Sequence, residues 1–268
     1  MLAVTTRNKL HSARFFLPML RARRYVREQL MTTPGLVRYA SAIASPTEFL
    51  TFTVWENRQA MFNFMSAGAH QSFMWMFSRW SESFWSMRWL PTVIEDGTWD
   101  GLSLASKVES GDRSWREAHP EIPQLPLPEQ RPARTPGRRV IDPGTSDVSV
   151  ITALVEIYHP GHVWAALNPL RNIRSGANYP QLLRWSVGSI DPRRFLILTL
   201  WRGNFEEPTE VVSLLRQRLK AQWIMRWTAG EYEIGHWNGL RIRQLAAAHA
   251  RQQRQQTEHI ESTYPDPR

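Results

Sequence analysis

The sequence contains no cysteine. That absence excludes disulfides, a cysteine nucleophile, thiolate-bound metals and a thiolate-ligated haem together. Lysine is scarce too: of 33 basic residues only Lys9, Lys107 and Lys220 are lysines, and the chain carries a net charge of +9. The arginines are scattered rather than gathered in one stripe. No zinc spacing, RNA-reading strand or phosphate loop accompanies them, so no nucleic-acid partner is expected. Long apolar runs are missing as well. The longest, Phe195 to Trp201, falls far short of the roughly 20 residues that a membrane span needs. The opening residues, with Arg7, Lys9 and Arg14, show no secretory signal, and the expected localisation is cytoplasmic.

What the chain does have is bulk. Hydrophobic residues make up 42% of 268, and 13 of the residues are tryptophan. That is enough apolar material for a sizeable core, at a length natural for two domains.

An internal repeat organises it. Pro34, Leu36, Arg38, Pro46, Phe49, Leu50, Thr53 and Trp55 return as Pro180, Leu182, Arg184, Pro192, Phe195, Leu196, Thr199 and Trp201, each offset by 146. Met87-Arg88-Trp89 returns as Met225-Arg226-Trp227, and Trp99-Asp100-Gly101-Leu102 as Trp237-Asn238-Gly239-Leu240, offset by 138. The first copy therefore carries eight extra residues between Trp55 and Met87.

Each copy reads as strand, helix, two strands, helix, strand. In the first, a strand over Leu2–Thr6 leads to a helix over Phe15–Met31 and a strand pair, Leu36–Ile43 and Glu48–Trp55, turned at Ser-Pro. In the second, Val148–Ile157 leads to a helix over Val163–Ser175 and the pair Leu182–Ile190 and Phe195–Trp201. The β-α-β-β-α-β order is the ferredoxin-like motif. Its open sheet face needs a cover. The expected fold class is therefore α+β: two ferredoxin-like repeats packed as a pseudo-symmetric α/β barrel. The boundaries are 1–105 for the first repeat, with the active pocket; 106–147 for a linker holding seven prolines; 148–240 for a second, non-catalytic repeat; and 241–268 for a tail, helical to about Arg251 and frayed beyond.

The extra residues of the first copy carry the chemistry. Gly68 should break one helix, and a new helix from Ala69 should present His70, Met74, Phe77, Trp80 and Phe84 on one side. Trp75 or Met76 should then face outward. The second copy has ordinary Leu, Lys and Arg there. A neutral imidazole can ligate iron or move a proton near pH 7, so His70 is the leading candidate, as catalytic group and as haem ligand. Met74 is the candidate cofactor neighbour, and Phe77, Trp80 and Phe84 are candidate pocket walls. The competing reading of the Met and Trp set is plain core. Asn8, placed just after the first strand, is a second catalytic candidate. Arg38 and Arg88 recur as Arg184 and Arg226, which favours a structural role, although Arg38 is also a candidate clamp for an acidic substrate. His159 and His162 flank Pro-Gly with no third ligand, so no metal is expected from them. Glu56 and Glu82 read as solvated.

The stretch TVWENRQAMFNFMSAGAHQSFM, residues 53–74, is similar to the strand-helix signature of the dimeric α/β-barrel superfamily. That group includes antibiotic-biosynthesis, haem-degrading and spheroidene-type monooxygenases; FSRWSESFWSMRWLPT looks closer to the last. The resemblance implies that His70 is the signature histidine and Asn8 the pocket asparagine at the first strand. Two copies in one chain would replace the usual homodimer. The tryptophan of haem-degrading members has no positional match, because Trp75 and Trp80 follow His70. The function expected is a monooxygenase-like oxidoreductase acting on a bulky apolar or aromatic metabolite, with haem b on His70 or no cofactor at all. The alternative is a non-enzymatic protein that holds an apolar ligand. The fused pseudo-dimer could itself form a homo-oligomer.

Overall fold

The computed structural model describes residues 1–109, 148–156, 181–202, 215 and 221–242. The expected linker beyond residue 109, the helix expected over 163–175, His159, His162 and the tail beyond residue 242 lie outside the described residues.

Among the described residues, besides a 3-10 turn at Ala13–Phe15, twelve helices and strands follow one another: β1 (Leu2–Leu10), α1 (Phe16–Thr32), β2 (Leu36–Ser45), β3 (Glu48–Trp55), α2 (Arg58–Met65), α3 (Gly68–Trp80), β4 (Ser81–Gly97), α4 (Leu104–Glu109), β5 (Val148–Glu156), β6 (Leu182–Ser189), β7 (Arg194–Arg202) and β8 (Ala221–Gly235). The strands close into one antiparallel barrel in the order β1-β3-β2-β6-β7-β5-β8-β4. The two strand quartets mirror each other, and they meet at two unequal seams. The β2–β6 seam is narrow, with Ile43 opposite Ser189. The β4–β8 seam is long, running from Trp85 opposite Gly235 to Gly97 opposite Trp223. Closure removes the exposed sheet edges.

Alternation along the strands sends every second side chain inward. Ala3, Leu50, Phe52, Val54, Trp85, Met87, Trp89, Leu198, Trp223, Met225 and Trp227 fill the barrel, together with Trp99 and Trp237. This accounts for much of the tryptophan. A buried indole needs a partner for its N–H, and six have one at matching places in the two quartets. Trp89 donates to Thr5 Oγ1 at 2.8 Å and Trp227 to Thr152 Oγ1 at 3.0 Å. Trp55 and Trp201 donate to Thr53 and Thr199, each at 2.8 Å. Trp85 and Trp223 reach across to Glu233 and Glu95.

Three expectations need correction. First, β1 runs to Leu10, so Asn8 lies inside the strand, paired with Phe49 and Phe84. The charges that read as a strand end are themselves paired: buried Arg7 with Glu48 at 2.8 Å, and Lys9 with Glu82 at 2.7 Å. Second, α3 stops at Trp80 and Phe84 stands on β4, because the chain turns into sheet at Ser81. Third, Arg38 is no substrate clamp. Its guanidinium donates to the carbonyls of Trp99 at 3.0 Å, Val37 at 2.8 Å and Asp100 at 3.5 Å. Arg184 repeats this on Trp237, Leu183 and Asn238. Recurrence in both copies marks a tie to the tight turn after β4 and β8, where Asp100 and Asn238 take positive φ.

Candidate functional site

Helices α1, α2 and α3 cover the outer face of the β1–β4 quartet, and a cavity of ≈ 290 Å³ lies between them. The helices are held there by specific devices. Asn57 caps α2 by accepting from Ala60 N at 2.9 Å. Gly68, at φ +60°, permits the corner between α2 and α3. Gln29 of α1 pins that corner: its amide donates to Phe64 O at 3.2 Å and Ala67 O at 2.9 Å, and its Oε1 accepts from His70 N at 2.8 Å.

His70 lines the cavity. Its Nδ1 lies 3.2 Å from Met65 O, and its ring is tilted against Phe64 with centroids 4.7 Å apart. A carbonyl can only accept, so Nδ1 carries the hydrogen and Nε2 keeps the lone pair. Burial pushes the imidazole pKa below its ordinary value, against the smaller opposing effect of the Met65 hydrogen bond. The group is therefore a neutral base at pH 7.

Asn8, Met74, Phe77 and Phe84 also line the cavity, whereas Trp80 and Arg38 do not. Trp80 stacks on Phe15 at 6.2 Å, beside the cavity rather than in it. Met74 is 36% exposed and sits at the rim, and Met76, at 44%, faces outward. Glu82 is exposed as expected, whereas Glu56 is half-buried near Lys107. Asn8 is 94% buried, and its Oδ1 has no hydrogen-bond partner.

Several lining residues escape a motif search. Ser86 lies opposite Thr6, Thr6 opposite Thr51, and Thr51 opposite Ser41. Four hydroxyl side chains thus form one row across β4, β1, β3 and β2, with Thr6 Oγ1 3.5 Å from Ser86 Oγ. The matching register positions of the second quartet are Ile224, Ala153, Ile197 and Val187. There Ile224, Ala153 and Ile197 are buried in an apolar cluster, with Val187 packed against it. Comparing the two copies position by position is the sequence signal that would have found the row.

The charged lining is cationic. Arg23 donates to Ser41 O at 2.7 Å. Arg88, 6% exposed, lies over Phe62 at 4.9 Å and over Tyr232 at 4.1 Å. Tyr232 and Ile234 belong to β8, so the second quartet contributes to the wall. No carboxylate is among the lining residues. Among the described residues no cluster of three or more His, Asp or Glu could hold a metal ion, and no helix is long and apolar enough to cross a membrane.

No family model and no curated protein matches the sequence. Solved structures do. This chain is similar to monooxygenases of the antibiotic-biosynthesis type. One, from Nitrosomonas europaea, is named for antibiotic biosynthesis monooxygenases; the match covers 33% of this chain and 95% of that one, at 15% identity and a TM-score of 0.31. A protein from Fusobacterium nucleatum named as a monooxygenase matches over 87% of this chain and 96% of its own, at 8% identity and a TM-score of 0.35. SnoaB of Streptomyces nogalater, a cofactor-independent oxygenase, matches over 32% of this chain and 86% of its own, at 13% identity and a TM-score of 0.27. Likenesses this distant assign no residue roles here.

Proposed function

We infer that the chain is an oxygenase acting without a cofactor on one bulky, ring-bearing substrate, bound in the cavity of the first quartet. The observation that carries this reading is His70: a neutral imidazole with its Nδ1 hydrogen engaged, in a mainly apolar cavity that also presents the unpartnered Oδ1 of Asn8. His70 takes a proton from a carbon acid of the substrate, a CH₂ between a carbonyl-conjugated ring system and its neighbour. Asn8 Oδ1 accepts from a substrate hydroxyl and orients the ring. The carbanion is electron-rich enough to reduce dioxygen directly, and a C–O bond forms. Loss of the second proton breaks the O–O bond, so CH₂ becomes C=O and the other oxygen atom leaves as water. The substrate supplies all the electrons.

A cavity of ≈ 290 Å³, at the lower end of small-molecule pockets, about 300–1,000 Å³, favours a substrate smaller than a porphyrin and supports the cofactor-free reading over haem. We also infer that 1–105 and 148–240 are duplicated ferredoxin-like units forming a pseudo-dimer, with the second a non-catalytic partner. The aliphatic residues that replace the hydroxyls, Ile224, Ala153, Ile197 and Val187, support that reading.

The test is oxygen uptake with an anthrone, a tricyclic ketone with an acidic CH₂, followed for the wild type and His70→Ala. The reading requires the wild type to accelerate uptake and the variant to lose roughly 100-fold or more, the usual scale for a general base. The second reading, a holder of apolar ligands, predicts binding without uptake. The substitutions of hydroxyls by Ala, Val and Ile between quartets favour selective binding in either case.

A further inference from the structure

The row Ser86–Thr6–Thr51–Ser41 is the least economical feature of the cavity. Strands pair about 4.8 Å apart, so four hydroxyls in register draw a polar line across the floor of a mainly apolar cavity. Aliphatic side chains suit that floor, and the second quartet has them at all four positions. Ser41 is 4% exposed. Among the described residues the hydroxyls of Ser41 and Thr51 make no hydrogen bond, although both residues line the cavity. One register step along β1 from Thr6, on the same face, stands Asn8 with its unpartnered Oδ1. The Asn8 amide oxygen, buried without a partner, is costly, whereas the Ser41 and Thr51 hydroxyls belong to the cavity lining, within reach of a ligand. A ligand that satisfies them recovers that loss, and one that cannot does not.

We propose that Ser41 and Thr51, with Asn8, are specificity-determining residues: they form a polar track that reads oxygen substituents along one edge of a flat ring system. Ser and Thr hydroxyls donate or accept as required, so the track takes hydroxyl and carbonyl groups alike, whereas Asn8 Oδ1 accepts only and demands a ligand O–H. Discrimination follows the asymmetry seen wherever a site is built to hydrogen-bond its ligand: the analogue lacking the polar group is rejected strongly. This rests on the cavity being the ligand site, as inferred above, but not on any reaction there.

The experiment measures binding of 2,7-dihydroxyanthraquinone and unsubstituted anthraquinone, by quenching of tryptophan fluorescence, to the wild type, Thr51→Val, Thr51→Ser and Ser41→Ala. The wild type should bind the dihydroxy compound at least about tenfold more tightly. Thr51→Val, of nearly the same shape, should bring the two ligands to within about threefold, mainly by weakening the hydroxylated one, and Thr51→Ser should restore the preference. Ser41→Ala should shift the ratio in the same direction. Equal affinities in the wild type, unchanged in Thr51→Val, would overturn the track and leave the cavity standing as an apolar ligand site. Binding of neither compound to folded wild type would remove the ligand site itself, and the track with it.

Discussion

Trp85 Nε1 donates to Glu233 Oε1 at 2.8 Å, and its counterpart Trp223 donates to Glu95 Oε1 at 2.6 Å. Each bond joins one quartet to the other across the β4–β8 seam, and the two are reciprocal. Each glutamate also accepts from backbone just beyond the tight turn: Glu95 from Leu104 N at 2.9 Å, Glu233 from Ile242 N at 2.8 Å. Glu-x-Gly-x-Trp-[Asp/Asn]-Gly-Leu is therefore one latch, present twice.

Glu95→Gln and Glu233→Gln should each lower stability by about 1–3 kcal/mol, since each leaves buried donors poorly matched. Urea denaturation checks the size. The effects should add in the double variant if the latches act independently.

Acid should loosen the first latch. Burial alone would raise the Glu95 pKa, but hydrogen bonds from Ser103, Ala105, Leu104 and Trp223 together hold it below the ordinary carboxylate value of 4.5. Its contribution is complete above that value and lost as pH falls through the lower, folded-state one. Thermal melts of the wild type should therefore drop more steeply below pH 4.5 than those of Glu95→Gln.

The latch glycines admit no side chain. A Cβ at Gly97, φ +78°, would meet Gln222 O at 2.1 Å, and one at Gly235, φ +73°, would meet Phe84 O at 1.9 Å. Either alanine substitution should cost about 2–3 kcal/mol, read as a fall in the denaturation midpoint, because positive φ and a backbone clash combine.

Much of this architecture was legible beforehand. The β-branched and aromatic runs Leu36–Ile43 and Glu48–Trp55 fall within the observed strands β2 and β3, and the Trp-[Asp/Asn]-Gly-Leu turns stand out at a constant offset. The latch glutamates were not, because a glutamate near a strand end ordinarily reads as solvated. The hydroxyl row was hidden for a related reason. Alternating Thr and Ser on a strand look like a water-facing side, and nothing local says that helices roof it. Asn8 was misplaced because Arg7 and Lys9 mimic a strand end, whereas their partners Glu48 and Glu82 are distant in sequence. His70 stood out because the second copy has no equivalent, and it lines the cavity.

Moving the second quartet's residues into the first should trade function for stability. Thr51→Ile with Ser86→Ile should raise stability by about 1 kcal/mol through added apolar burial, within the usual range for cavity-filling changes. Uptake of either anthraquinone should disappear. A titration beside a melting curve reads both.

The second quartet should matter to the site through Tyr232. Tyr232→Leu removes one of the two rings around the Arg88 guanidinium and should weaken ligand binding several-fold, on the scale of about 0.5–2 kcal/mol for such contacts. Tyr232→Phe should preserve it. Calorimetric titration separates the two.

The most direct measurement is the pH dependence of oxygen uptake with an anthrone, for the wild type and His70→Ala. With its pKa lowered by burial, His70 should place the midpoint of the acid limb of the wild-type rate below pH 6.5, its ordinary value. His70→Ala should lose both the rate and the limb. Uptake no faster than in buffer, or a variant that matches the wild type at every pH, would contradict the account.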